Sequence, residues 1–225
     1  MVRIKVSVII PTKNEPYIAT LVRQVRKYLS GMEHEIIIVD KSTVTPRIKR
    51  VRIIKQTSDG LGRAIMEGVR HAKGDVIVTM DGDGSHRACD ILRLLKGIHR
   101  GCDVVIGSRF VKEGKTLDVK HRKMVSYVMR KFASLFLNLR VEDSMSGFCA
   151  AKRRVYEVID LKPVGYKINM ELVYKAKKRG FKVCEVPVIF EPRKSGQSKV
   201  GFNLRGLKEL LRIFVYALEL KLRLR

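Results

Sequence analysis

Two carboxylates one residue apart, Asp81 and Asp83, close a short apolar run, Val76-Ile77-Val78-Thr79-Met80. The run is β-branched and reads as a buried strand. Gly82 and Gly84 lie between and after the acids, followed by Ser85 and His86. Glycine accepts backbone angles that other residues avoid, so the chain can bend here and aim both carboxylates at one point. Hard oxygen ligands at a strand end suit Mg2+ or Mn2+, which takes a few carboxylates and completes its shell with water and phosphate. The chemistry expected is a metal–diphosphate site at the carboxyl edge of an open sheet.

Three other readings use the same letters. Asp and Gly are ordinary turn formers, so a solvated turn is the plain alternative. An aspartyl-phosphate phosphatase also carries Asp-x-Asp after a hydrophobic strand, but normally on its first strand, and here three strand-like runs come earlier. A calcium loop counted from Asp81 would need Gly at position six and Glu at position twelve. His86 and Leu92 stand there instead.

The elements around these acids alternate in type. Strands are expected at 6–10, 36–40 and 51–54, the second ending in Asp40. Ile18, Leu21, Val22, Val25 and Leu29 follow the first strand at helical spacing. Ser58 and Asp59 offer an N-cap for a helix over about 60–71. A helix over 87–100 and a strand over 103–110 follow the acids. Further on, a strand enters through Ala151, a helix opens by Glu171 and runs to Arg179, and a strand over 183–190 is interrupted by Pro187. Proline in that run marks an edge or bulged strand. The order predicts an α/β fold, an open, mostly parallel sheet covered on both faces.

Gly60-Leu61-Gly62 does not make a dinucleotide fingerprint, because Ile65 stands where the third glycine belongs. No phosphate-binding loop of the Gly-x-x-x-x-Gly-Lys-Ser/Thr type is present.

In 225 residues, 47 Lys and Arg face 22 Asp and Glu, a net charge of +25 that seeks polyanions. Nucleic acid is disfavoured as a partner: aromatic residues are 7% of the chain, no recognised motif occurs, and the basic residues are spread along the length. Cys89, Cys102, Cys149 and Cys184 are scattered without metal-ligand spacing, which predicts small core residues in a reducing compartment. Neither a signal peptide nor a membrane-spanning stretch is expected. Residues 124–139 and 203–225 are amphipathic and edged with Arg and Lys, so each either packs on the core or lies on a membrane surface.

Taken in order, the motifs resemble the family-2 glycosyltransferases, and among them the dolichyl-phosphate (polyprenyl-phosphate) mannose synthases. The marks are Ile9-Ile10-Pro11-Thr12-x-Asn14-Glu15, the strand ending in Asp40, Gly60-Leu61-Gly62-x-Ala64 and Asp81-x-Asp83-x-x-His86. They continue with Gly107-Ser108-Arg109, Arg122-Lys123, Ser146-Gly147-Phe148, Gly165-x-Lys167-Ile168-x-x-Glu171 and Arg193-x-x-Gly196-x-Ser198-Lys199.

The resemblance implies a GT-A (Rossmann-like) catalytic domain over 1–200; the apolar stripe beyond it is expected to form a C-terminal amphipathic helix over 201–225, where many members of the family carry transmembrane helices. The resemblance also implies an inverting, metal-dependent transfer of a hexose, mannose from GDP-mannose first, to a dolichyl or polyprenyl phosphate. UDP-glucose or another nucleotide sugar, or a non-lipid acceptor, is the alternative. The nucleotide sugar would touch Pro11, Thr12, Glu15, Asp40, Gly60, Asp81 and Gly82. The cofactor would be Mg2+ or Mn2+ on Asp81 and Asp83, with Ser85 at a position where the family often has Gln. Asp83, Arg109 and Arg122 would carry the reaction. Asp143, Ser146, Lys167, Glu171, Arg193 and Lys199 would meet the acceptor and its phosphate. His86 is expected to support the site rather than act as a base. Such an enzyme would work from the cytoplasm at an anionic membrane surface, with or without a separate anchoring subunit. The family often has two acids and a Ser-Pro-Asp-Gly-Thr run after the second strand, and here Asp40 is followed by Lys41-Ser42-Thr43-Val44.

Overall fold

The computed structural model describes residues 4–117, 131, 134–162, 167–194 and 215–222. Seven strands form one sheet in the order β3-β2-β1-β4-β7-β5-β8. They are β1 (Val6–Thr12), β2 (His34–Asp40), β3 (Arg52–Lys55), β4 (Val76–Thr79), β5 (Val104–Ser108), β7 (Cys149–Lys152) and β8 (Val183–Pro187). A separate pair joins β6 (Lys115–Thr116) to β9 (Ile189–Phe190). Only β7 runs antiparallel to its neighbours, β4 and β5.

This topology decides where the chemistry sits. The carboxyl ends of β1, β2, β4, β5 and β8 share one edge, with Thr12 opposite Asp40 and Ile9 opposite Thr79. Because β7 is reversed, its first residue, Cys149, pairs with Thr79 at that same edge. The segment 143–148 leading into β7 therefore lands beside the acids that follow β4.

The inner strands β1, β2, β4 and β5 are rich in Val and Ile and mostly buried on both faces, as covered parallel sheets require, whereas the edge strands β3 and β8 are only partly covered. Val8, Ile10, Ile38 and Val78 pack against α1 (Ile18–Tyr28) and α3 (Ile91–His99). Ile9, Ile37, Val39 and Ile77 face α2 (Leu61–His71), α4 (Arg153–Val158) and α5 (Ile168–Lys178). Tyr216, Ala217 and Leu220 of the stretch 215–222 are buried in that second core.

At the opposite edge, Asp103 ties the sheet together. Its carboxylate accepts the Lys182 N–H at 3.0 Å, Lys152 Nζ at 2.9 Å and Arg154 Nη2 at 2.5 Å. Burial works against the charge, but these donors hold its pKa down at about 2.

The structure corrects two expectations. Ser58 and Asp59 do not cap α2, whose N-cap is Gly60 at φ 100°. Ser58 gives its N–H and hydroxyl to Glu67, and Asp59 pairs with Lys41. The cysteines are not all isolated, since Cys102 and Cys184 form a disulfide across 82 residues. Pairing of β5 with β8 brings these distant positions together, which spacing along the chain does not reveal. Cys89 and Cys149 remain thiols, so the cysteine pattern no longer argues for a reducing compartment. The Pro187 expectation holds: β8 is an edge strand and Pro187 ends it.

Candidate active site at the carboxyl edge of the sheet

The turn after β4 is built by its own side chains. Asp83 Oδ1 accepts the Ser85 N–H at 3.0 Å and the Ser85 hydroxyl at 2.6 Å, a local turn that Asp favours. Gly84 adopts φ 77°, and a Cβ there would collide with the Tyr17 ring at 2.7 Å. A Cβ on Gly82 would stand 3.2 Å from the Pro11 carbonyl oxygen, so the turn lies against the end of β1. Ser85 is fully buried and spends its hydroxyl on Asp83, which makes it a support for that carboxylate rather than an open ligand.

Asp81 is arranged differently. Its N–H donates to His86 Nδ1 at 3.1 Å, which leaves the ring proton on Nε2 of a neutral imidazole. Burial lowers the His86 pKa, and the ring stacks on Phe148 with centroids 4.9 Å apart. His86 thus shapes the turn, with its Nδ1 lone pair taken by the Asp81 N–H. Among the described residues, no hydrogen bond to the Asp81 carboxylate is found; His86 Nδ1 stands 3.9 Å from Oδ2. The side chain is 31% exposed yet closely surrounded by protein. That desolvation raises its pKa, Asp83 adds to the rise, and Arg193 and Arg109 oppose it. A partly desolvated carboxylate without a donor, one residue from a second carboxylate, fits a divalent cation in its donor chemistry.

Arginines approach from two other segments. Arg193 Nε lies 3.0 Å from Asp83 Oδ2, and the Lys194 N–H donates to the Asp83 carbonyl at 2.9 Å. Glu191 N–H likewise donates to the Ser85 carbonyl, so residues 191–194 run along the turn. Arg109 follows β5 and is held by Asp143, with Nε to Oδ2 at 2.7 Å and Nη2 to Oδ1 at 2.8 Å. Its guanidinium also lies 5.2 Å from the centroids of both Phe110 and Phe190.

The nucleotide positions gather at the ends of β1 and β2. Asp40 is fully buried, with Oδ1 accepting the Ser42 N–H and hydroxyl. Asp40 Oδ2 and the Thr12 hydroxyl, on adjacent strands, are buried polar atoms without a partner among the described residues. Such atoms cost free energy unless a ligand meets them. Asn14 at φ 54° shapes the loop holding Glu15, its Oδ1 accepting the Thr43 N–H.

Several expected acceptor contacts are committed elsewhere. Asp143 is fully buried with both oxygens on Arg109, so it reaches a phosphate only through that arginine. Glu171, also fully buried, accepts the Lys162 N–H, Lys175 Nζ at 2.6 Å and the Tyr216 hydroxyl. It thereby fastens 215–222 to α5, and a carboxylate would in any case repel a phosphate. Ser146 is buried, and its carbonyl accepts Asn169 Nδ2 at 2.7 Å. Lys167 is buried, 5.8 Å from the Tyr216 ring centroid. Arg122 and Lys199 lie outside the described residues, as do most of 124–139 and the loop after 194.

Sequence reasoning gave no site role to Thr79, Asn169, Phe148, Phe190 or Glu185. Thr79 Oγ1 donates to the Gly147 carbonyl at 3.2 Å and, with Asn169, fixes the 146–147 backbone. Only the approach of Ser146-Gly147-Phe148 to β4 could have signalled their part, and that needs the reversed β7.

Residues 7–160 match the family described as Glycosyl transferase family 2. The chain is 37% identical over 210 residues to the dolichol-phosphate mannosyltransferase of Pyrococcus furiosus, covering 87% of this chain and 59% of that protein. It is 37% identical over 165 residues to the polyprenol monophosphomannose synthase of Mycolicibacterium smegmatis, covering 69% and 62%. Its extent is thus about three fifths of the length of these relatives. Among solved structures, glucosyl-3-phosphoglycerate synthase from Mycobacterium tuberculosis in complex with phosphoglyceric acid superposes with a TM-score of 0.72 at 18% identity. That match covers 96% of this chain and 80% of the other. The same enzyme in complex with Mn2+, uridine diphosphate and phosphoglyceric acid gives 0.70 at 19%, covering 98% and 78%. At that identity the likeness concerns the fold, a mostly parallel sheet of GT-A type. With the family matched over more than half its length, the chain belongs to glycosyl transferase family 2.

Proposed function

We propose that this chain is the catalytic part of an inverting, metal-dependent glycosyltransferase that moves a hexose from a nucleotide sugar to a polyprenyl or dolichyl phosphate. The observation that carries the reading is the Asp81 carboxylate, which no donor among the described residues meets, beside Asp83 at the carboxyl edge of the sheet. Mannose is the first choice of sugar, because relatives at 35–37% identity are named dolichol-phosphate mannosyltransferase, polyprenol monophosphomannose synthase and undecaprenyl-phosphate mannosyltransferase, and GDP-mannose is the donor that the motif resemblance implies.

Asp81 and Asp83 would hold Mg2+ or Mn2+, and a fold neighbour is described with Mn2+ and uridine diphosphate. When bound, the cation offsets the charge that builds on the departing diphosphate. Asp40 Oδ2 and the Thr12 hydroxyl offer the donor nucleotide an acceptor and a donor or acceptor, respectively. Pro11, next to last in β1, lies beside Gly82, and with Glu15 and Gly60 they would complete the nucleotide's surroundings. Arg109 and Arg193, with Arg122 and Lys199, would meet phosphate oxygens, as guanidinium forks do well. A phosphate monoester has a second pKa of about 6 and is largely ionised near neutral pH. It can therefore attack the anomeric carbon without a protein base, consistent with the neutral, buried His86. Attack opposite the leaving group inverts the anomeric centre.

No helix among the described residues is long and apolar enough to cross a membrane. We place the enzyme at the cytoplasmic face of an anionic membrane, held by its basic surface or by an anchoring subunit.

The test is purified protein with Mn2+ or Mg2+, polyprenyl phosphate and a panel of labelled GDP- and UDP-sugars. Transfer from GDP-mannose supports the first choice. Transfer only from another nucleotide sugar replaces the donor, and no lipid-linked product from any of them overturns the acceptor.

A further inference from the structure

We infer that Glu185 is a positioning residue for Arg109, acting through the backbone at 142–143 and the Asp143 carboxylate. Glu185 sits on the edge strand β8, opposite Ile106 of β5. Its two oxygens are divided between two consecutive main-chain donors, the Glu142 N–H at 2.7 Å on Oε2 and the Asp143 N–H at 2.8 Å on Oε1. A carboxylate that accepts two adjacent N–H groups fixes both position and rotation of that peptide segment.

The segment so held presents Asp143, whose Oδ2 accepts both the Arg109 N–H at 3.1 Å and Arg109 Nε at 2.7 Å. Oδ1 accepts Nη2 at 2.8 Å. The guanidinium plane is thus set by a buried two-pronged pair, with the Phe110 and Phe190 ring centroids each 5.2 Å away. Asp143 cannot aim Arg109 unless its own backbone is fixed. Among the described residues, the Asp143 backbone is held by the turn closed by the Ser146 N–H on its carbonyl and by the Glu185 carboxylate on its N–H.

The platform beneath Glu185 is itself rigid. β8 pairs with β5 over five residues, and the next residue down the strand, Cys184, is bonded to Cys102 on the opposite face of the sheet. Arg109 leaves the end of β5 and Glu185 rides on β8, so both ends of the relay start from neighbouring strands.

The inference deepens the transferase reading and rests on it only for what Arg109 does to phosphate. Glu185→Gln changes one oxygen for an NH2 that must face a backbone N–H, donor against donor, with little change in volume. The Arg109 Nε–H resonance in the 15N spectrum of the full chain, assigned through Arg109→Lys, reads the aim of the guanidinium without any substrate. In Glu185→Gln it is expected to shift and to exchange faster with water, while circular dichroism stays native. In turnover, kcat is expected to fall about tenfold to a hundredfold, with the donor KM within about twofold. In an Arg109→Lys background the same change is expected to add less than about twofold, because the aimed group is already gone. Should Glu185→Gln not fold, Glu185→Asp, which keeps the charge but shortens the reach, is read the same way. An unmoved Nε–H resonance, or an effect of full size in the Arg109→Lys background, overturns the inference. If the wild-type chain transfers no sugar, the transferase reading fails, and the resonance alone still decides the role of Glu185.

Discussion

Gly147 faces the Asp81 carboxylate so closely that a Cβ built on it would stand 3.1 Å from each carboxylate oxygen. The glycine comes from the segment entering the reversed strand β7, whereas Asp81 follows β4. Thr79 and Asn169 pin that segment from below, so Gly147 has little room to retreat. In Gly147→Ala the carboxylate must therefore move. Metal-dependent binding of a nucleoside diphosphate is expected to weaken about tenfold or more while the melting temperature changes little. Titration calorimetry with Mn2+ and GDP checks this, and wild-type affinity would mean that Asp81 does not hold the metal.

The two acids are expected to fail in different ways. Asp81→Asn removes a charge that no described hydrogen bond supports, so transfer should be abolished with stability retained. Asp83→Ala also strips the turn of the Ser85 bonds and the Arg193 partner, so it should abolish transfer and lower stability by about 1–3 kcal/mol. Turnover measured with and without chelator, beside urea unfolding curves, separates the two. Undiminished turnover in excess chelator would remove the metal from the account.

The basic residues divide in the same manner. Losing one charge-assisted contact to a phosphate costs on the order of 1.5–3 kcal/mol, or roughly tenfold to a hundredfold in kcat/KM. Arg122→Ala and Lys199→Ala are expected to show that loss. Arg109→Ala would leave Asp143 buried without its cation, a structural penalty of about 3–5 kcal/mol. Arg109→Lys is the cleaner variant, since it keeps the charge and loses the fork. Wild-type kinetics in Arg122→Ala, Lys199→Ala and Arg109→Lys would make these ordinary surface charges.

The sheet and the turn that carries Asp81 and Asp83 were legible because they rest on local signals. Val and Ile runs mark β1, β2 and β4, and Asp40 and Asp81 stand where such runs stop. What was hidden depends on strands meeting at a distance. The Cys102–Cys184 bond, the Glu185 clamp and the approach of Gly147 to Asp81 all follow from where β7 and β8 enter the sheet. Asp143 and Glu171 were read toward the acceptor from motif position alone. Arg109 and Tyr216, which engage them, lie 34 and 45 residues away, and of the acids' described side-chain partners only Lys175, four residues from Glu171, falls within a local pattern. Glu185 resembles a plain outward residue of an edge strand, and nothing in Val183-Cys184-Glu185 distinguishes it.

Asp103 gives the fold a pH dependence of known sign. Its pKa is held at about 2 in the folded chain against 3.8 for an unperturbed Asp. A depressed folded pKa means the stabilisation is complete above the unfolded value and is lost as pH falls from about 4 to about 2. The partners Lys152 and Arg154 are themselves partly solvated, so the contribution is set at about 1–2 kcal/mol. Asp103→Asn is expected to lower unfolding free energy by that amount at pH 7 and to flatten its fall below pH 4. Urea unfolding at pH 7, 4 and 3 measures both, and parallel curves for the two proteins would assign the acid response elsewhere.

The described C-terminal stretch joins two demands on one helix. Tyr216, Ala217 and Leu220 are buried against the core, and the Tyr216 hydroxyl donates to Glu171. Val215, Leu218 and Leu222 point the other way and are 52%, 39% and 62% exposed. Deleting the helix would uncover the core, so point changes on its outer face are the appropriate probe. Basic residues near an anionic bilayer contribute about 1 kcal/mol each, and inserted Leu side chains add to this. Vesicles containing phosphatidylserine are expected to bind the protein reversibly at low salt and to release it as salt is raised. Leu218→Ser combined with Leu222→Ser should weaken that binding severalfold and leave nucleotide binding unchanged, because the Tyr216 face is untouched. A protein that ignores such vesicles at low salt would instead need a separate subunit to bring its site to the lipid.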